Sequence, residues 1–269
     1  MGDLKNQPVI TVEEVMKPNG AAMEFTRGDT KYEPGLAVQE LAEPRIFRYY
    51  DVLMVISATV AVCSNLLALK VVSIGLLTFG GSVVFFPISY ILGDVLTEVY
   101  GFKRARRVIW VAFGAMVFAA FMTWVVLMMP SAADGGSQAM SDHFQAVFST
   151  TPRIIFASLL GFLVGDFVNT IVLAVLKVKD QGRQFWKRAV ASTVIGQAAD
   201  SIVFYPLAFA GTWSWDLLWT ILITHYIIKV TLEVVLLPVT YRVVKYLKRT
   251  EGIDHYDTHT KFTPFGVEV

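Results

Sequence analysis

Cysteine is all but missing from this sequence. Cys63 is the only one in 269 residues, which excludes an intramolecular disulfide and a cysteine-based metal cluster. Charge is scarce as well. Asp, Glu, Lys and Arg make up 17% of the chain against 55% hydrophobic residues, and the mean hydropathy of +0.55 is too apolar for a soluble domain that must cover its own surface. Neither sign of charge is in excess, the formal net charge being +1, so there is no basic field for nucleic acid. No phosphate-binding loop GxxxxGK[ST] occurs, so the chain does not hydrolyse ATP itself. No motif calls for a cofactor. The first 44 residues hold no apolar run like that of a signal peptide.

What the sequence has instead is long apolar runs. A hydrocarbon core of ~30 Å needs ~20 mostly apolar residues per helix, and six stretches qualify: Tyr50 to Leu69, Val83 to Tyr100, Val108 to Met129, Ile154 to Leu176, Ala189 to Ala210 and Leu217 to Val239. Val71 to Ser82 reads as a short connector or re-entrant piece. Basic residues set the direction. Arg45 and Arg48 precede the first stretch; Lys103, Arg104, Arg106 and Arg107 follow the second; Lys177, Lys179, Arg183, Lys187 and Arg188 follow the fourth; Arg242, Lys245, Lys248 and Arg249 follow the sixth. The expected fold is therefore an all-α integral membrane protein with six transmembrane helices and both termini cytoplasmic, in the inner (cytoplasmic) membrane. Residues 1–44 read as a polar, mostly disordered cytoplasmic tail, 45–249 as the transmembrane domain and 250–269 as a second, solvated polar tail.

The informative residues are polar ones where lipid should exclude them. A charge at the bilayer centre costs roughly 2.5 to 3.5 kcal/mol on insertion scales, so each must face protein or water. The second, fourth and fifth stretches share one pattern: Gly93-Asp94-x-x-Thr97-Glu98, Gly165-Asp166-x-x-Asn169-Thr170 and Gly196-Gln197-x-x-Asp200-Ser201. Residues three and four apart share a helix face, so each motif presents one polar stripe, and its glycine permits close backbone approach. Three such stripes are expected to converge on a ligand cavity, joined by Asn65 of the first stretch. Any one alone reads equally as hydrogen-bonding glue between helices.

On the sixth stretch His225, Lys229 and Glu233 follow one face. Lys229 can pair with Glu233 within the helix, or answer an acid on another helix such as Asp200 or Asp166. His225 reads as a packing residue. Pro87, Pro206 and Pro238 fall inside spans and are expected to kink them. Phe86, Tyr90 and Phe204 lie near the stripes and suit stacking on a planar ligand. Trp213, Trp215 and Trp219 suit an outer interface belt. His255 and His259 stand four apart, but with no third ligand evident no metal site is expected.

The run Phe86 to Trp110, FPISYILGDVLTEVYGFKRARRVIW, resembles the signature stretch of the queuosine-precursor transporters, also called the vitamin uptake transporter family. Ser64-Asn65, GQAADSIVFYPLAF from Gly196 and YIIKVTLEVVLLPVTY from Tyr226 fall in order with it. The resemblance covers about Arg48 to Arg249. It implies a six-helix fold similar to the substrate-binding components of energy-coupling-factor vitamin transporters, and uptake of a small purine-like solute, 7-cyano-7-deazaguanine or its aminomethyl relative. Such a solute offers an N–H and an amine beside a carbonyl, a face that a carboxylate and an amide read in pairs. The expected substrate-binding set is Asn65, Phe86, Tyr90, Asp94, Asp166, Asn169, Gln197, Asp200, Phe204, Lys229 and Glu233, with no catalytic residue. Separate ATPase subunits are compatible with the sequence but not indicated by it, and the oligomeric state is left open.

Besides a channel or structural membrane subunit, which would show no saturable binding, two rivals stand beside this reading. One is a carrier of another purine-like or vitamin-like solute. The other is an intramembrane aspartyl protease using the two Gly-Asp pairs, but the GxGD element of those enzymes needs glycine where this chain has Ile91 and Leu163.

Overall fold

The computed structural model of the chain describes residues 47–266, apart from 68–69, 75–76, 81, 83–84, 150–151 and 259. The N-terminal tail expected at residues 1–44 and the ring of His259 lie outside the described residues. Seven helices are present among them: α1 (Tyr50–Leu67), α2 (Phe86–Tyr100), α3 (Phe102–Met128), α4 (Gly135–Phe148), α5 (Pro152–Lys179), α6 (Phe185–Phe209) and α7 (Trp215–Glu251). Between α1 and α2 lies an antiparallel hairpin, β1 (Val71–Ile74) and β2 (Leu77–Gly80), in the register Val71 opposite Gly80 and Ile74 opposite Leu77. The sequence reading as a connector or re-entrant piece missed this. β-Branched Val71, Val72 and Ile74 favour extended backbone, and the all-α expectation holds apart from this ribbon.

Helices α1, α3, α5 and α7 are long and apolar enough to cross a membrane. Helix α2 has 15 residues, about 22 Å at 1.5 Å per residue, and α6 mixes Gln197, Asp200 and basic Lys187 and Arg188 into its 25 residues. These two carry the densest polar stripes, so the features that make them interesting also dilute their apolar signal. The exterior is apolar along its length: Val55, Phe118, Phe121, Ile202 and Val235 are all exposed, an arrangement that suits hydrocarbon and not water.

Local chemistry sets the boundaries. Gly101, at φ +84°, separates α2 from α3 in a conformation only glycine adopts readily. The Asp134 carboxylate accepts the Ser137 N–H at 2.8 Å and starts α4. Ser214 caps α7, and Gly252 ends it in the left-handed region. Pro206 and Pro238 lie inside α6 and α7 as expected, but Pro87 sits in the first turn of α2. There its missing N–H would have had no helical partner, so it starts the helix and does not kink it.

Beyond α7 the described residues make specific contacts with the helix ends. Asp257 is buried, and its Oδ2 accepts the Phe102 N–H at 2.9 Å. The Phe262 and Phe102 rings lie 5.2 Å apart, Trp110 Nε1 donates to the Pro264 carbonyl at 2.8 Å, and Arg106 donates to the Thr263 carbonyl at 3.0 Å. Together with Glu251, which accepts the Tyr49 N–H at 2.8 Å and the Tyr100 hydroxyl at 2.9 Å, this segment ties the basic ends of α1, α2 and α3 to the end of α7. The main apolar core lies beside it, built from Val95, Leu96, Val99, Tyr100, Leu173 and Leu247 among others.

Candidate functional site

The stripes of α5 and α6 meet, and their glycines are the reason. A Cβ on Gly196 would lie 2.7 Å from that of Asn169, one on Gly165 would lie 2.8 Å from that of Asp200, and one on Gly161 would lie 2.7 Å from Asp200 Oδ1. Helices α5 and α6 therefore touch backbone to backbone, as small residues permit in a membrane. Gly93 differs. Nothing lies within 4 Å of its missing side chain, and it opens onto a cavity.

Across that cavity α2 faces α5. Asn169 Nδ2 donates to Asp94 Oδ1 at 3.1 Å, and the Thr97 hydroxyl reaches that of Thr170 at 3.5 Å. Asp94 is 2% exposed. On the neighbouring helices Lys229 Nζ lies 2.7 Å from Asp200 Oδ2, so the lysine of α7 answers an acid of α6, the second of the two pairings the sequence left open. Glu233, one turn further on, takes a hydrogen bond from the Thr193 hydroxyl through Oε1 and leaves Oε2 without one. Asp166 lies in the field of Asp200, Asp94 and Lys229. Gln197 is fully buried, and neither its carboxamide oxygen nor its nitrogen has a hydrogen-bond partner. An orphaned buried amide carries a desolvation cost of ~1–3 kcal/mol.

The cavity is lined by Ser57, Ser89, Tyr90, Gly93, Asp166 and Asn169, with apolar residues of α3 behind them, and its volume is about 30 Å³. Ligand pockets usually begin near ~300 Å³. The space beside these polar groups is therefore about a tenth of what a bound solute needs.

Of the expected residues Tyr90, Asp166 and Asn169 line this cavity, and Asn65 and Phe204 stand apart. Asn65 donates to the Met116 sulfur at 2.9 Å and accepts the Ser158 hydroxyl at 2.9 Å, which makes it a tie between α1, α3 and α5. Phe204 packs on Tyr205 and Phe209 in an aromatic cluster, with ring centroids 5.0 and 5.9 Å away. Phe86 opens α2, and its side chain lies outside the described residues. His225 packs edge-on to Tyr205, and no group of three metal-ligating side chains is found among the described residues.

The sequence reading missed what lies one turn below Asp94. Glu98 is fully buried, and three cations from three helices converge on its Oε1: Lys248 at 2.5 Å, Arg188 at 2.7 Å and Lys177 at 3.6 Å. Lys177 and Lys248 also hold Asp254 at 2.5 and 2.8 Å, and Arg188 holds Asp180 at 2.8 Å. The signal was present in the stripe itself, since Glu98 follows Asp94 at helical spacing on the side where basic residues cluster. Burial works against charge on Asp254 and Asp257, yet the partners of each, Lys177 and Lys248 for one and His255 with the Phe102 N–H for the other, hold both carboxyls below the ordinary value.

The comparisons agree with one another. A family model described as "Putative vitamin uptake transporter" matches residues 80–243. The chain is 31% identical over 193 residues to a Bacillus subtilis protein named "Probable queuosine precursor transporter", covering 71% of this chain and 82% of that protein. It is 26% identical over 124 residues to the "Queuosine precursor transporter" of Escherichia coli, covering 46% of this chain and 52% of that one. A Haemophilus influenzae protein named like the first is 28% identical over 125 residues, covering 46% and 49%. No solved structure matches.

Proposed function

Because the chain belongs to the vitamin uptake transporter family, we propose that it imports queuosine precursors, 7-cyano-7-deazaguanine or 7-aminomethyl-7-deazaguanine, across the cytoplasmic membrane. The names of its relatives support the solute, and those relatives are carriers, which leaves the protease reading without support. The observation that carries the chemistry is the buried Asp94–Asn169 pair, of which Asn169 lines the cavity, with the unpartnered Gln197 amide on a neighbouring helix. A carboxylate accepts two N–H groups of a guanine-like edge while a carboxamide both donates and accepts. Tyr90, in the same wall, suits the ring face. Asp166, Asp200, Lys229 and Glu233 complete the polar set, with Lys229 paired to Asp200.

In this reading α1, α2, α3, α5, α6 and α7 are six spans, and α4 lies at the outer surface. The Glu98 end of the bundle, where Lys103, Arg104, Arg106, Lys177 and Arg188 gather, faces the cytoplasm together with both termini. The small cavity then belongs to one closed stage of a cycle in which access alternates between the two faces.

The test is complementation. Cells unable to make the deazaguanine precursor, given it at low concentration and this chain in their membrane, are expected to restore queuosine to transfer RNA. No queuosine despite membrane expression sinks the solute assignment. Asp94→Asn and Asp200→Asn are expected to abolish rescue, and removal of residues 1–40 to leave it intact.

A further inference from the structure

Four charged side chains from four helices meet at Glu98, and no expected substrate-binding group is among them. Such a cluster is an expensive way to hold a protein together, because burying ions costs about what their attraction returns, and apolar residues of similar volume do as well or better. It suits a contact that must form and break. When closed the charges satisfy one another, and when open each is satisfied by water.

The position of the cluster agrees. Asp94 and Glu98 stand one turn apart on one face of α2. Asn169, which holds Asp94, and Lys177, which meets Glu98, stand about two turns apart on α5. The same two helices thus carry the candidate solute contact at one level and the ion cluster at the next. Any movement of α2 that accommodates a solute at Asp94 also moves Glu98 against its cations.

The segment after α7 adds a latch. Asp254 bridges Lys177 and Lys248, and Lys177 also donates to the Glu98 and His255 carbonyls at 2.6 and 2.7 Å. With Asp254 docked, Lys177, Arg188 and Lys248 are balanced by Glu98, Asp254 and Asp180. Without it one positive charge is in excess beside the buried Lys177 and Arg188, at the half-exposed edge where Asp254 and Lys248 reach water, and the cluster favours the open, hydrated arrangement.

Resting on the membrane orientation given above, we propose that the Glu98 cluster is the cytoplasmic gate of the carrier and that residues 252–266 are a strap that holds it shut. The gate opens when α2 leaves its cations and Asp254 leaves Lys177 and Lys248. The strap regulates release of the solute into the cell.

The experiment reads solvent access and needs no knowledge of the solute, so it separates failure of the gate from failure of the substrate assignment. The full chain carries Cys63→Ala and Ser89→Cys, the latter on the cavity wall, in inside-out vesicles whose cytoplasmic face is outward. An impermeant maleimide is added, and labelling at position 89 is followed by mass spectrometry. Asp254→Asn is expected to speed labelling by about tenfold, through a shift in the open population. A second protein carries Ser89→Cys together with Phe102→Cys and Phe262→Cys joined by a short reducible crosslinker; labelling at position 89 is expected to be suppressed in the bridged sample and restored in a portion reduced and freed of reductant before the maleimide is added, while the Ser89→Cys protein without the pair, put through the same steps, labels at its untreated rate. This arm uses one folded sample as its own control. Labelling at position 89 that ignores the bridge, or that responds only when the reagent is on the outer face, overturns the proposal. Restored labelling in a protein that moves no deazaguanine leaves the gate standing and removes the solute.

Discussion

The Asp257 carboxylate accepts the backbone N–H of Phe102 at 2.9 Å, across 155 positions of sequence. Helix α3 begins directly after Gly101, which has no side chain to cap it, so the cap is delivered by the far end of the chain. The first N–H groups of a helix need a partner and favour a negative one. Asp257→Ala is therefore expected to lower stability by about 0.5–2 kcal/mol, seen as an earlier thermal transition in detergent. An unchanged transition would show that water caps α3 equally well.

The same docking has a pH limit. Asp254 and Asp257 are held below the ordinary carboxyl value in the folded chain. A depressed carboxyl stabilises the fold above its unfolded pKa of ~3.9 and loses that contribution as pH falls through the folded value. Protection of the amides of residues 252–266 against hydrogen exchange, relative to the intrinsic rate at each pH, is expected to hold from neutral pH down to about 4 and to fall below it. Release of the segment well above that pH contradicts the assignment of these two acids.

Glycine substitutions divide by where the missing side chain points. Gly196→Ala drives a methyl into Asn169, so it is expected to part α5 from α6 and reduce both folded yield and uptake. Gly93→Ala meets nothing and is expected to leave the melting temperature unchanged while weakening apparent affinity for the solute. Equal loss of stability in both would mean that Gly93 packs against protein after all.

Lys229→Met leaves Asp200 without its partner. Removing one member of a buried pair costs ~3–5 kcal/mol, less here because both side chains keep some exposure. The double variant Lys229→Met with Asp200→Asn is expected to recover most of that stability, measured by unfolding in detergent, without recovering uptake. Uptake that returns with stability would make the pair structural.

Asn65 and Asn169 were expected to act alike, and the structure separates them. Asn65→Leu removes ties to Met116 and Ser158, worth ~0.6 kcal/mol each on average in membranes, and is expected to transport at near wild-type rate. Asn169→Leu removes a partner of Asp94 at the cavity and is expected to stop uptake with little change in folding. Reversal of that order would return Asn65 to the site.

These contrasts mark what the sequence can express. A stripe of glycine and polar residues at helical spacing states which face of a helix is special, so the meeting of α2, α5 and α6 was legible. It does not state which of several polar neighbours a side chain will find, and Asn65 found Met116 and Ser158 one layer away. Lys177, Arg188 and Lys248 were legible as basic flanks but not as partners of Glu98, because that requires the relative rotation of four helices. The acids at 251, 254 and 257 looked like solvated charge, since the N–H groups and amines that receive them exist only once helix ends have been assembled.

The interlocked glycines of α5 and α6 carry a last implication. Surfaces meshed at Gly161, Gly165 and Gly196 leave little slack for sliding, so in the proposed cycle those two helices would travel as one plank. Rocking that admits a solute would then fall to α2 and its neighbours swinging against that plank. Asp94 would ride on the swinging side and Asn169 on the fixed side, and their hydrogen bond would lie on the seam, where a solute wedged between them would itself prise the two halves apart.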